Sequence, residues 1–303
     1  MAPTFNFETE ASELVAHCAP QIEGKIIVIT GPSPGSLGES FVKQVACPTV
    51  IVKSLALNLL SFADVRKAAE TLNSWADVPH VDVLVNNAGI MAVPYQLTED
   101  GFESQFQTNH LSHFLFTNLI MDKILASKAP RVVFVSSHVH RIGHIRWTDY
   151  NFNEGKHYQR WLSYGQSKTA NALTALALAE RLGSKGVLCF ALCPGVILTN
   201  LAAHGPDDQA SFAADLTSMD NVHGNKSLWG MADMKFKTLD QGAATHVFAP
   251  VDTGIKKHNG SFLSGCHVAD QNLEEVYSWA TSKADAERLW ELSEELVGQE
   301  FTF

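Results

Sequence analysis

The chain has 303 residues, 46% hydrophobic and 18% charged, which suits one large α/β domain or two small ones. A net charge of −10 argues against a phosphate-backbone binder, so no nucleic-acid partner is expected. No stretch is long and apolar enough to span a bilayer, and no membrane span is expected.

In chain order, strand-like runs alternate with helical ones, the pattern of a parallel sheet covered on both faces. Lys25 to Thr30 reads as a buried strand leading into glycines, and Glu39 to Ala46 as a short helix. Pro48 to Leu57 is strand-like, and Ser61 to Ser74 is helical, with Ser61 and Asp64 as candidate caps. Val81 to Val85 is a strand ending in Asn86-Asn87-Ala88-Gly89, followed by one long helix over Gly101 to Ala126. Arg131 to Ser136 is a strand, Ser163 to Leu182 a helix, and Val187 to Leu192 a strand ended by Pro194-Gly195. Residues 200–239, rich in Gly, Asp and Asn, are expected to form a lid of short helices. Gln241 to Ala249 is helical, Gly260 to Leu263 a short strand and Ser282 to Leu296 a helix. With no repeat or credible linker, residues 1–303 are expected to form a single domain.

Residues Met1 to Pro20 carry Glu8, Glu10 and Glu13 without a basic start, a poor signal peptide. The five cysteines (Cys18, Cys47, Cys189, Cys193 and Cys266) form no C-x-x-C and no disulfide scaffold. Cys189 and Cys193 read as buried free thiols. A cytoplasmic, reducing location is the expectation. His138, His140 and His144 are interleaved with Arg141 and Arg146, which points to a solvated loop and no metal site.

Six segments carry candidate chemistry. Thr30-Gly31-Pro32-Ser33-Pro34-Gly35-Ser36-Leu37-Gly38 lies between strand and helix, where glycines let backbone approach a pyrophosphate at a helix N-terminus. Asn87, Ala88 and Gly89 end a strand at the crevice where α/β sheets bind ligands. Asn109 is polar within an apolar helical stretch and needs partners, among them a water that relays protons. Ser136-Ser137 sits at a strand tip, where a hydroxyl meets a substrate oxygen. Pro194, Gly195, Val196 and Thr199 reverse the chain beside the same crevice. Tyr164 and Lys168, four apart, project from one helix face, and a cation beside a phenol favours the phenolate.

Together these residues resemble the short-chain dehydrogenase/reductase superfamily, from about Ile22 to Phe303. Gln107-Thr108-Asn109-His110-Leu111-Ser112-His113-Phe114, the stretch Tyr164 to Asn171 and the stretch Pro194 to Leu201 look closest to its retinol-dehydrogenase-like branch. Ser137 and Tyr164 are 27 residues apart, about twice the usual spacing, and the insert containing Trp147 to Phe152 looks like the one in that branch.

The resemblance implies a Rossmann-like, doubly wound parallel sheet and a catalytic tetrad of Asn109, Ser137, Tyr164 and Lys168. It makes Tyr164 the proton donor or acceptor and Ser137 the partner of the substrate oxygen. Lys168 then lowers the Tyr164 pKa and holds the cofactor ribose. Cofactor contacts fall to Gly31, Ser33, Gly35, Leu37, Gly38, Asn58, Asn87, Ala88, Gly89, Tyr164, Lys168, Pro194, Gly195, Val196 and Thr199. The implied cofactor is NADP(H) by analogy, with NAD(H) not excluded, and the implied substrate is an apolar carbonyl or alcohol. Trp147, Tyr150, Phe152, Tyr158 and Trp161 are candidates for the substrate cavity, with core packing the alternative for each. Trp229, Met231, Met234 and Phe236 would cover a lipophilic substrate. The helices 101–126 and 163–182 are those the family uses for a homodimer, the other expectation being that their outer faces stay exposed.

One departure is large. Between Val45 and the strand-like run before Asn58 the chain lacks about thirty residues, the size of one strand–helix module. That module reads the adenosine ribose, so the run 49–57 is expected to slide beside Lys25–Thr30 and leave a shallow, weakened adenosine end. Alternative readings are a non-catalytic dinucleotide-binding or regulatory relative, and an incomplete isoform that folds poorly.

Overall fold

In the computed structural model, residues 5–46, 51–201, 209–225 and 235–303 are described. Six strands make one sheet in the order β1 (Ile27–Ile29), β2 (Val83–Asn86), β3 (Arg131–Val135), β4 (Leu188–Cys193), β5 (Phe262–Ser264) and β6 (His267–Val268). β1 to β5 are parallel, and β6 turns back antiparallel on β5. The central strands are continuous apolar runs because helices cover both faces, leaving no wet side for alternation.

Alternate residues sort the core. Leu84, Val132, Phe134 and Cys189 pack with helices α3 (Phe62–Ser74), α5 (Ser112–Leu119), α7 (Arg160–Leu182) and α10 (Lys283–Val297). Val83, Val85, Val133 and Phe190 pack on the other face with α1 (Ala11–Ile22), α2 (Leu37–Val45) and α9 (Leu239–Val251). Capping fixes several starts: Ser36 accepts from Glu39 N–H, Ser61 from Asp64 N–H, and Thr238 and Gln241 form a capping box on α9.

Four expectations change. Residues 48–50 of the expected strand lie outside the described residues; the run 51–58 forms no strand, and among the described residues β1 pairs only with β2. Its path is set instead by the chain just past α3 and by α5. Lys53 pairs with Asp77 and lies 4.8 Å from the Trp75 ring, while Ser112 Oγ donates to Leu59 O at 2.7 Å. Held at both ends, the segment tucks Leu55 and Leu57 against the core but leaves Ile51 and Val52 86% and 68% exposed.

The helix expected over 101–126 is broken into α4 (Ser104–Phe106), a π turn (Gln107–Leu111), α5 and α6 (Met121–Leu125). The histidine loop is not solvated: after Ser137 a 3-10 turn buries His140 and Arg141, and only His144 is exposed. Arg141 Nε donates to Asp220 at 2.9 Å, tying this turn to α8 (Gln209–His223). Finally, α10 covers the faces suggested for a homodimer. Ser163 to Ala179 are buried, Trp290 packs on Phe114, and His110 Nε2 lies 2.9 Å from Ser293 Oγ.

In the expected lid, α8 is one long helix; Trp229, Met231 and Met234 lie outside the described residues, and Phe236 is exposed. Helix α1 was not foreseen, although Ala11, Leu14, Cys18 and Ile22 mark a helical stripe that packs against α9.

Candidate active site

The carboxyl ends of β1 to β4 converge on one crevice. Thr30, which opens the glycine motif, is its hub, a role that the motif alone does not show. Its hydroxyl accepts from Asn87 N–H at 3.0 Å and Ala88 N–H at 2.9 Å and lies 2.9 Å from His113 Nε2. Asn87 Nδ2 donates to Thr30 O at 2.8 Å, and its Oδ1 is 3.2 Å from His246 Nε2. The loops after β1 and β2 are thereby locked together. Gly31, at φ +68°, is required by this closeness: a Cβ there would lie 2.8 Å from the Ala88 Cα.

Ser33 and Gly35 are exposed in the glycine loop, and Leu37 and Gly38 open α2. Gly35 N–H donates to Glu39 Oε2 at 2.7 Å, so a carboxylate from α2 already holds one loop donor. Asn200 Nδ2 reaches Pro34 O at 3.2 Å, bringing the turn with Pro194, Gly195, Val196 and Thr199 against that loop. Asn58, by contrast, is exposed at the α3 entrance, donating to Asp64 at 2.9 Å and accepting from Leu60 N–H at 3.1 Å.

The tetrad residues come from three elements. The π turn widens the helix at Asn109, whose amide donates to Ile90 O at 3.0 Å and Ser167 Oγ at 2.9 Å and accepts from Ile90 N–H at 2.9 Å. Gly89 lies so close that a Cβ there would sit 3.0 Å from Asn109 Oδ1 and 3.5 Å from Lys168 Nζ.

Ser137 lies just past β3 and accepts from Val139 N–H at 3.1 Å, near enough to the Tyr164 hydroxyl to favour its ionisation. Its neighbour Ser136 is spent on Lys168 O at 2.7 Å, which separates the two serines. Backbone contact makes the Ser137–Tyr164 approach feasible: Cβ atoms on Gly143 or Gly165 would lie 2.4 Å from Gln166 N and 2.8 Å from Val139 O.

Lys168 Nζ donates to Val135 O at 3.0 Å and lies 5.4 Å from the Tyr164 ring centroid. Burial pushes the Tyr164 phenol up, with the Ser137 hydrogen bond opposing it, and pulls Lys168 down to about 8. The expected lowering of the phenol by Lys168 is not found: burial dominates, and the opposing influence comes from Ser137.

These residues fit a dinucleotide at the nicotinamide and phosphate positions: a cradle closed to any Cβ at Gly31, and a buried lysine beside Gly89. At the adenosine end no strand among the described residues flanks β1 on its outer side. Of the aromatic candidates, Tyr158 lines a cleft of about 390 Å³ with Tyr95, Gln159, Arg160 and Asp215. Phe152 and Trp161 are core, Tyr150 stacks on Phe106, and Trp147 meets Arg288. No group of three or more candidate metal ligands clusters among the described residues.

A family model described as short chain dehydrogenase matches residues 23–151. Human "Retinol dehydrogenase 11" is 31% identical over 92% of this chain and 87% of its own length. Mouse "Retinol dehydrogenase 12" is 33% identical, over 92% and 88%. The chain belongs to the short-chain dehydrogenase/reductase family. Within it, the similarity lies with the retinol-dehydrogenase-like branch.

A solved structure titled as a putative uncharacterized protein from Mycobacterium Paratuberculosis has 30% identity, a TM-score of 0.67, and matches over 92% of this chain and 96% of that one. A 3-ketoacyl-(acyl-carrier-protein) reductase from Brucella melitensis, 19% identical with a TM-score of 0.54 over 80% of this chain and 97% of its own, shares the fold. As a member of this family the chain is an oxidoreductase acting on CH-OH donors, and its cofactor class is NAD(P)(H).

Proposed function

We propose that this short-chain dehydrogenase interconverts a carbonyl and an alcohol on an apolar small molecule, with NADP(H) the favoured cofactor by analogy to its branch. The supporting observation is the convergence of Ser137, Tyr164 and Lys168 at the carboxyl end of β3, with Asn109 across Gly89. Gly31, Gly38, Asn87, Gly89 and the Pro194–Thr199 turn would hold the dinucleotide, which supplies or accepts hydride when bound. Ser137 holds the substrate oxygen, and Tyr164 gives it a proton in reduction or takes one in oxidation. Lys168, as ammonium, stabilises the phenolate so formed. Asn109, committed to Ile90 and Ser167, shapes the pocket for a relay water.

Lys168 loses its charge above about pH 8, so turnover should decline there. The free, buried thiols Cys18, Cys189, Cys193 and Cys266 support a reducing, cytoplasmic location.

One observation favours a second reading, a relative that binds dinucleotide weakly or regulates: β1 has no outer neighbour among the described residues. NADPH or NADH consumption with aldehydes, ketones and quinones, beside Tyr164→Phe, tests the first reading. A cooperative melt without turnover would select the second. Submicromolar binding of NADPH or NADH by fluorescence would refute a weakened adenosine end.

A further inference from the structure

Ser137 is gripped by its backbone as well as by its side chain, and the backbone grip comes from a buried histidine. His140, three residues on in the 3-10 turn His138–Ile142, is 1% exposed. Its Nδ1 lies 2.7 Å from the Ser137 carbonyl oxygen, and Tyr277 N–H donates to its Nε2 at 3.1 Å. A carbonyl only accepts and a backbone N–H only donates, so one neutral tautomer meets both: Nδ1 carries the proton and Nε2 is bare. The other tautomer loses both bonds, and the imidazolium loses the one to Tyr277.

Three elements meet at this residue. The ring packs on Phe262 of β5, centroids 4.9 Å apart, and meets the Tyr277 ring edge-on at 5.9 Å. The His140 carbonyl accepts from Trp279 Nε1 at 2.9 Å and from Thr169 Oγ1, next to Lys168 on α7, at 3.2 Å. Tyr277 also faces the Arg141 guanidinium at 5.5 Å, the same group that fastens α8. On the other side of the junction stands Ser137, whose hydroxyl accepts from Val139 N–H at 3.1 Å. With carbonyl and hydroxyl both held, neither the peptide nor the side chain of Ser137 turns freely.

We propose that His140 is a positioning residue for Ser137: its Nδ1–H holds the serine carbonyl while the Tyr277 amide holds its Nε2, so residues 277–279 set the serine from behind. The consequence for turnover rests on the substrate-oxygen role given above to Ser137; the hydrogen-bonded junction itself does not. His140 touches no reacting atom and acts only through the place it gives the serine. A shift of about 1 Å in such a group costs about 10²-fold in rate. Burial holds the ring down to about 3, the Ser137 bond opposing this and His138 and Arg141 adding to it. The ring therefore stays neutral at working pH, as the junction requires.

Two substitutions in the full chain divide the ring's two bonds. An asparagine amide falls near the place of Nδ1 and can still donate to the Ser137 carbonyl; a glutamine oxygen reaches the place of Nε2 and serves Tyr277 alone. Both lose the packing on Phe262, so both should melt lower by similar amounts. His140→Gln should lower kcat about 10²-fold with KM within about a factor of two. His140→Asn should bring turnover back to within about fivefold of wild type, the scale of one lost neutral hydrogen bond. Equal losses in the two variants, with Ser137→Ala impaired, would overturn the positioning role and leave that of the serine. The Ser137 carbonyl resonance reports the junction without catalysis. In protein labelled with carbonyl-13C serine and 15N histidine, only Ser112–His113 and Ser137–His138 give a coupled signal. The Ser137 signal should move more in His140→Gln than in His140→Asn; equal shifts, or none, would overturn the junction. If the wild type shows no turnover, or Ser137→Ala keeps it, the proposed chemistry fails and the resonance still decides whether His140 holds the serine.

Discussion

Two stretches border the same crevice and are held in opposite ways. Residues 136–168 are clamped: Gly143 against Gly165, Ser136 on Lys168 O, and Thr169 Oγ1 on Gly143 O at 2.6 Å. Residues 51–58 are tied by Lys53 to Asp77, with Ile51 and Val52 in solvent and no ladder to β1. The difference separates chemistry from grip. Short polar contacts among neighbouring elements suffice to gather the residues proposed for proton transfer, whereas an adenosine site needs a flanking strand and helix. Strand propensity in Ile51-Val52 cannot replace them while Lys53 and Leu59 are held elsewhere.

The largest expected effect tests whether the clamped side is active. Tyr164→Phe should lower turnover by about 10²–10⁴-fold with little change in melting, the ring being retained in its buried site. Turnover within a factor of two of wild type would remove Tyr164 from the mechanism and leave the clamp merely structural.

Much of the clamped side is legible in the sequence, because its residues fall in short motifs at strand ends. β2, β3 and β4 announce themselves as apolar runs, and Asn87, Ser137 and Gly195 follow directly. The π turn is not legible, since Gln107 to Leu111 carries the same apolar spacing as an α-helix and only the Asn109–Ile90 pairing distinguishes it. Arg141–Asp220 joins residues far apart in the chain, which no local pattern reports. The path of 51–58 is not legible, because a β-like composition does not report the contacts with Trp75 and Asp77 that capture it.

Next in size is the tether between the clamped side and α8. The Arg141–Asp220 pair is 2% and 0% exposed, so Asp220→Ala should cost about 3–5 kcal/mol by stranding a buried cation. Chemical denaturation measures it. A loss below about 1 kcal/mol would mean that α8 is not fastened to the active-site turn through this pair.

Acid should then loosen the crevice. His113 and His246, which join Thr30 and Asn87 to the helices, are held down to about 4 by burial, and His110 to about 3. Between those values and 6.5 the unfolded chain binds more protons than the folded one, so stability rises with pH and falls on acidification. Each such histidine contributes a slope of about 1.4 kcal/mol per pH unit below 6.5. Melting midpoints should be level near pH 7 and drop toward pH 5, less steeply in His113→Asn. An equal slope in that variant would remove His113 from the account.

The smallest effect bears on the weaker region itself. Glu39 presents its carboxylate to Gly35 N–H at 2.7 Å and to Lys43 at 2.8 Å, at the end of α2 where a pyrophosphate would rest. Binding must displace or tolerate that charge. Glu39→Gln should tighten NADPH roughly two- to fivefold at low salt, the scale of one charge at a helix terminus. Because the group is exposed, the gain should shrink at about 1 M salt as screening shortens its reach. A gain that persists at high salt would instead point to the shape of the glycine loop, and no gain would place the phosphate away from Gly35. Either outcome would leave the outer edge of β1, which has no neighbouring strand among the described residues, as the proposed limit on cofactor grip.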